Sequence, residues 1–227
     1  EQNQAQMSIC SYRHWGEGAE ESHPTGNQLI LSREQAMEIY IMGDEQYHIY
    51  HAVWSKLFLR SIIQDLRFQE GHKSEDIMYT TCALGKIEKC VFLDTLLYNY
   101  RTDRVGSIMN SKLEERRFQD EIPFKREQIA YLRGLGMTEL SEKASYQFYR
   151  RLLYYYLDFR KRKMKKAGRR TIQFLREEKE KIRQIYKKDF VTTGDKVRMK
   201  IALRVPFCYY ILVKFYDKYI IPWKQRR

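Results

Sequence analysis

Ser74-Glu75-Asp76 is the segment whose residue types and placement could move a proton in a reaction. A carboxylate in the first turn of a helix is favoured by the positive end of the macrodipole and is held in one direction. Such a group can accept the proton of an attacking hydroxyl while that hydroxyl displaces a leaving group. The same residues also read as an ordinary helix start. In that reading the Ser74 hydroxyl is the N-cap, accepting from orphan amides, and Glu75 and Asp76 only complement the dipole.

Other candidates lie nearby in the chain. His48 and His51 follow Asp44 but have no further Cys, His or carboxylate at ligand spacing, so they read as surface or packing residues and no metal is assigned. Trp54 and Lys56 pair an aromatic face, able to stack on a sugar ring, with a cation; core plus surface is the plainer reading. The chain has no G-x-G-x-x-G, no Walker sequence, no H-E-x-x-H, no G-x-S-x-G and no Asp-x-Asp. Most nucleotide-binding, hydrolase and metalloprotease assignments are thereby removed.

Charge divides the chain. Residues 151–227 hold 24 Lys and Arg against 7 Asp and Glu, a balance of +17, whereas residues 1–150 hold 18 against 22, a balance of −4. In the basic part Arg160 to Lys166 and Arg169-Arg170 form a dense cluster, which can also be only a solvated face. Beyond it, cations from Lys196 to Lys218 are interleaved with Phe207, Tyr209, Tyr210, Phe215 and Tyr219. Cations mixed with aromatic and aliphatic residues fit an anionic membrane surface. No base-reading motif supports nucleic acid, and none is expected as a partner. The longest apolar run, Val205 to Val213, is shorter than the roughly 20 residues that span a bilayer, so no transmembrane helix is expected. Glu1 to Gln6 has no basic n-region, and the four cysteines show no C-x-x-C spacing; both fit a cytosolic protein with reduced thiols.

The elements that must position these residues follow from periodicity. Met7 to Tyr12 alternates as a strand, and Leu29 to Leu31 reads as a short one. Ser32 to Gln35 has the capping-box pattern and starts a helix carrying Ala36, Ile39, Tyr40 and Met42. Ser74 begins a helix to Leu84, with Gly85 as its C-cap. Lys89 to Leu93 and Leu96 to Arg101 read as two strands separated by a turn at Asp94-Thr95. Helical periodicity then covers 114–135, 141–166 and 171–188, with breaks at Gly134 to Gly136, Ala167-Gly168 and Gly194. Pro206 interrupts a final amphipathic stretch over 196–219.

The order of the pieces carries a resemblance. Ala52-Val53-Trp54-Ser55-Lys56-Leu57 comes first, then Phe68-Gln69-Glu70-Gly71 and Ser74-Glu75-Asp76. Val91-Phe92-Leu93-Asp94, Leu97-Tyr98-Asn99-Tyr100-Arg101 and Gly106-Ser107-Ile108 follow. Together, over roughly residues 5 to 110, they resemble bacterial family 2 glycosyltransferases of the GT-A fold, which build capsular, lipopolysaccharide or teichoic-acid-type glycans.

The resemblance implies an α/β chain with the C-terminal, acceptor-side part of a GT-A domain over 1–110 and a helical basic region over 111–227. It implies Asp76 as catalytic base and Glu75 as the supporting carboxylate. Trp54, Lys56, Arg101, Arg104 and Ser107 become substrate-binding candidates. The stretch from Arg101 to Ser107 is one residue longer than the commonest family form, which leaves Arg101 and Arg104 as alternatives for the diphosphate. The family's nucleotide-binding half, with its metal-binding Asp-x-Asp, does not lie in this sequence. The expected donor is a UDP-sugar with Mg or Mn held by ligands outside this chain, and the acceptor a glycan or lipid-linked hydroxyl. The enzyme is expected at the inner face of the cell membrane, held through residues 151–227. The competing assignment is a non-catalytic membrane- or polyanion-binding helical module.

Overall fold

Alternation starting at Met7 produces the first strand, β1 (Met7–Trp15), with Met7 and Ile9 turned into the core. In the computed structural model, which describes residues 2–16, 23–44, 47–72, 74–103 and 115–221, β1 is central to a small mixed sheet. The order of elements is β2 (Gln28–Ser32), α1 (Arg33–Met42), β3 (Lys56–Phe58), α2 (Arg60–Ile63), α3 (Asp76–Lys86) and β4 (Lys89–Arg101). Helices α4 (Glu115–Gly134), α5 (Thr138–Lys161), α6 (Lys165–Glu177), α7 (Lys179–Ile185), α8 (Thr193–Arg204) and α9 (Pro206–Phe215) follow, and a π-helical turn covers Tyr216–Ile220. The strand order is β2-β4-β1-β3; β4 runs parallel to β1 and antiparallel to β2, and β3 is antiparallel to β1. The chain is a mixed α/β protein.

Two compact units are present, residues 1–144 and 145–227, so the first takes in α4 and the start of α5 as well as the segment up to residue 110. Its core sets Met7, Ile9 and Phe92 of the sheet against Met37 of α1, Leu84 of α3 and Leu132 of α4. Each such fully buried side chain contributes about 1.5–3 kcal/mol relative to exposure. The capping box at the start of α1 forms as the sequence predicts: Ser32 accepts from the Gln35 amide, and the Gln35 side chain accepts from the Ser32 amide.

Four expectations need correction. The turn at Asp94-Thr95 is a bulge inside continuous β4, because β1 pairs Cys10 with Leu93 and then Ser11 with Leu96. The bulge keeps Asp94 nearly buried. Its carboxylate accepts from the Ser11 hydroxyl at 2.6 Å and from the Thr25 amide and hydroxyl at 2.7 Å each. Burial works against its charge, but these donors outweigh burial and hold the carboxyl below its ordinary range.

Gly85, read as a C-cap, lies inside α3, which continues to Lys86. Its lack of a side chain admits Tyr131 of α4: a Cβ there would lie 2.5 Å from the phenolic oxygen and 2.8 Å from Cε1. Gly168 likewise lies inside α6, and the break falls earlier, where Lys163 adopts φ +60° and the Met164 amide reaches back to the Phe159 carbonyl. The predicted helix over 171–188 is divided at Glu178 into α6 and α7.

The second unit is helical. Asp195, in the first turn of α8, accepts from the Tyr146 hydroxyl at 2.5 Å, from Thr192 at 3.1 Å and from Arg198 at 2.9 Å. Pro206 stops α8 and opens α9 at its first position, where a missing amide hydrogen costs nothing. All four cysteines are free thiols. Among the described residues no helix is long and apolar enough to cross a membrane.

Candidate functional site

Asp76 begins α3, but the cap differs from the Ser74 expectation. Glu75 is the N-cap residue, with helical backbone and no capping hydrogen bond from its side chain; buried Ser74 contributes its carbonyl to the Ile77 amide at 3.2 Å. One Glu75 carboxylate oxygen, Oε2, is buried without a hydrogen-bond partner. The start of α3 is held from the side by the Tyr40 hydroxyl, which donates to the Ile77 carbonyl at 3.1 Å. It is also held from within, by Thr81 donating to the same carbonyl at 2.7 Å. Buried Gln128 of α4 then donates to the Thr81 hydroxyl at 2.8 Å.

The loop before β3 brings the second half of the site. Thr80 donates to the His51 carbonyl at 2.6 Å, tying this loop to α3, and the Cys10 amide donates to the Ser55 carbonyl at 3.0 Å, tying it to β1. His51 Nε2 thereby comes to 3.8 Å from Asp76 Oδ2. Burial pushes His51 below its ordinary value, Asp76 pulls the other way, and Lys125 and Glu121 of α4 lower and raise it respectively.

Lys56 is buried, and its ammonium donates to the Tyr50 carbonyl at 2.7 Å and to the Ala52 carbonyl. Burial pushes it down to about 8, against the opposing pull of Cys90, Asp76 and Cys10. Lys56 is thus the internal clamp of the loop that carries His51 and Trp54.

Trp54 sits in an aromatic group on the sheet. It stacks on Tyr98 at 4.4 Å and Tyr100 at 5.1 Å and meets Tyr12 edge-on at 4.7 Å. Beside it, a cavity of about 190 Å³ is lined by residues that include Tyr12, His14, His48 and Tyr50. Arg101 lies at the end of β4, opposite Trp15, with its guanidinium on Asp103 at 2.7 Å and over the Trp15 ring at 5.7 Å. Lys56 pairs with Ile9, which pairs with Phe92. At ~3.3 Å per residue, Arg101 is therefore roughly 20–30 Å along β4 from the level of Lys56. Arg104 and Ser107 lie outside the described residues.

The structure therefore brings Asp76, Glu75, His51 and Lys56 to one end of α3 and leaves Arg101 at the far end of the sheet. His51, Gln128, Glu121 and Lys125 were not singled out for this site by sequence. No local spacing connects a loop histidine, a helix start and a helix that follows the sheet, although the i, i+4 pairing of Glu121 with Lys125 marks one face of α4. Among the described residues no group of three or more His, Cys, Asp or Glu could hold a metal ion, so no step is assigned to a metal on these side chains.

A carboxylate beside an imidazole, at a helix start and next to a second carboxylate, can accept a proton from a bound hydroxyl. No protein-family model matches the chain, and no curated protein matches it.

Proposed function

We propose that this chain is the acceptor-side half of a GT-A glycosyltransferase that builds a surface glycan, with Asp76 as its base. The observation that carries this reading is the position of Asp76 at the start of α3, facing His51 and electrostatically coupled to the buried Lys56. The acceptor hydroxyl would give its proton to the Asp76 carboxylate as its oxygen bonds to the anomeric carbon. The bond from that carbon to the diphosphate oxygen would break with its electron pair, releasing the nucleoside diphosphate. Glu75 places a second carboxylate beside the base. Trp54, Arg104 and Ser107 remain proposed contacts for sugar and diphosphate, whereas Arg101, roughly 20–30 Å along β4 from the level of Lys56, is too far from Asp76 to meet the same diphosphate. The donor, a UDP-sugar with Mg or Mn, would be held by the half of the domain outside this sequence.

The test is Asp76→Asn in the enzyme that includes the donor half. A fall in kcat of about 100-fold or more is expected; activity surviving within a few-fold would remove Asp76 as base. This chain alone should bind UDP weakly, and tight metal-dependent UDP binding would overturn the division into halves.

The second unit carries the proposed contact with the inner face of the cell membrane. Phe207, Ile211, Phe215 and Tyr219, spaced four apart, are all exposed along α9 and the turn after it. Ile211→Ser with Phe215→Ser should release the chain from anionic vesicles, and undiminished binding would defeat this contact.

A further inference from the structure

The second unit holds a cavity that the transfer chemistry does not use and that shares only Phe207 with the apolar ridge. It has a volume of about 620 Å³. One wall is a single face of α6, where Lys165, Arg169 and Arg176 recur at spacings of four and seven. The opposite wall is Tyr156 and Arg160 of α5, and the rim is Pro206 and Phe207 at the start of α9.

The four cations are arranged as donors. Among the described residues none of them is ion-paired with a carboxylate, and the acid in the lining, Glu177, accepts from Gln173 at 3.0 Å. Arg160 is fixed by two rings, its guanidinium carbon 5.4 Å from the centres of both Phe207 and Tyr210. Its Nε is buried and makes no hydrogen bond. Arg176 spends Nε on the Leu203 carbonyl at 3.0 Å, which orients the rest of its guanidinium. Four cations thus line one cavity with no carboxylate among the described residues paired to them, and an anion with several acceptor oxygens can receive hydrogen bonds from more than one of them. The apolar Tyr156 and Ile172 beside them give room for an organic substituent.

We propose that this cavity is a binding site for a phosphate or diphosphate ester, with Arg160, Lys165, Arg169 and Arg176 as its donors. The ester can come from a lipid head group at the membrane or from a soluble phosphorylated compound. The site sharpens the membrane contact proposed above but does not depend on it or on sugar transfer, because the soluble probe is read without vesicles.

The experiment uses the full chain. Inorganic pyrophosphate is titrated calorimetrically, and flotation compares phosphatidylcholine vesicles carrying phosphatidic acid with vesicles carrying oleate at matched surface charge. Lys165→Gln with Arg169→Gln removes two exposed donors from the cavity. Arg162→Gln with Lys166→Gln removes the same charge from the same stretch outside the lining. The cavity variant should weaken pyrophosphate binding, or the preference for phosphatidic acid over oleate, by about tenfold or more. The outside variant should change either by less than about twofold.

An effect on pyrophosphate alone assigns a soluble ester, and an effect on the lipid preference alone assigns a head group; either supports the site. Equal effects of the two variants, or a wild-type chain that binds neither probe, would overturn it. Because all four substituted residues are exposed on the surface, unchanged thermal unfolding of both variants is the control for folding.

Discussion

His51 Nε2 lies 3.8 Å from Asp76 Oδ2, joining the loop before β3 to the start of α3. The imidazole is pushed down mainly by burial, with Asp76 opposing. Asp76→Asn removes the opposing charge and should lower the His51 pKa further. Histidine ring proton shifts in a pH titration read this directly; an unmoved or raised value would show that the two side chains do not interact in solution. A histidine depressed in the folded state destabilises the fold once pH falls below its unfolded value, about 6.5. The first unit should therefore lose stability progressively below about that pH.

Lys56 supplies a window on the alkaline side. Its folded value of about 8 lies below the ordinary 10.5, so the unfolded chain binds more protons between the two. Its contribution to stability should therefore rise as pH increases through that interval. Denaturant unfolding of wild type and Lys56→Met isolates the effect: the wild-type stability minus that of the variant should rise from about pH 8 to pH 10. A constant gap would mean that Lys56 is not dehydrated.

Gly85 reverses a usual rule. An exposed mid-helix Gly→Ala normally gains up to about 1 kcal/mol. Here the added methyl would meet the Tyr131 ring, with Cβ 2.8 Å from Cε1, so Gly85→Ala should destabilise by about 1–3 kcal/mol. Combining it with Tyr131→Leu should recover part of that loss. A stabilising Gly85→Ala would show that α4 moves away without cost.

Asp195 governs the acid behaviour of the second unit. Burial opposes its charge, but the Tyr146 hydroxyl, Arg198, Arg150 and Thr192 together hold its carboxyl low. That contribution is complete above the ordinary carboxylate value and lost as pH falls through the depressed one. Tyr146→Phe should cost about 1–3 kcal/mol at neutral pH and flatten the loss of stability as pH falls below about 4. Circular dichroism melts across that range check it, and an unaltered acid profile would remove the tyrosine from the account.

Some of this molecule is legible residue by residue. The Ser32 capping box, the strand from Met7, the helix after Ser74, and the stop at Pro206 each depend on local chemistry that a short window contains. Asp94 was misread because Asp-Thr resembles a turn locally, whereas the donors that keep it in a strand, Ser11 and Thr25, come from distant parts of the chain. Gly85 was misread for the same kind of reason: its glycine answers to Tyr131, not to its own backbone.

The site divides along the same line. The sequence alone determined the carboxylates at the head of α3 and the charge split between the two parts; that Lys165, Arg169 and Arg176 share one helical face followed only once the structure carried α6 through Gly168. Only the tertiary structure decided that His51 reaches Asp76, that Lys56 is used as an internal clamp, and that Arg160 completes a cationic cavity. Helix caps and helical faces arise within a few residues along the backbone, where bonded geometry fixes the distances. Burial and charge pairing depend on which segments the fold packs together, and no local window of sequence contains both partners.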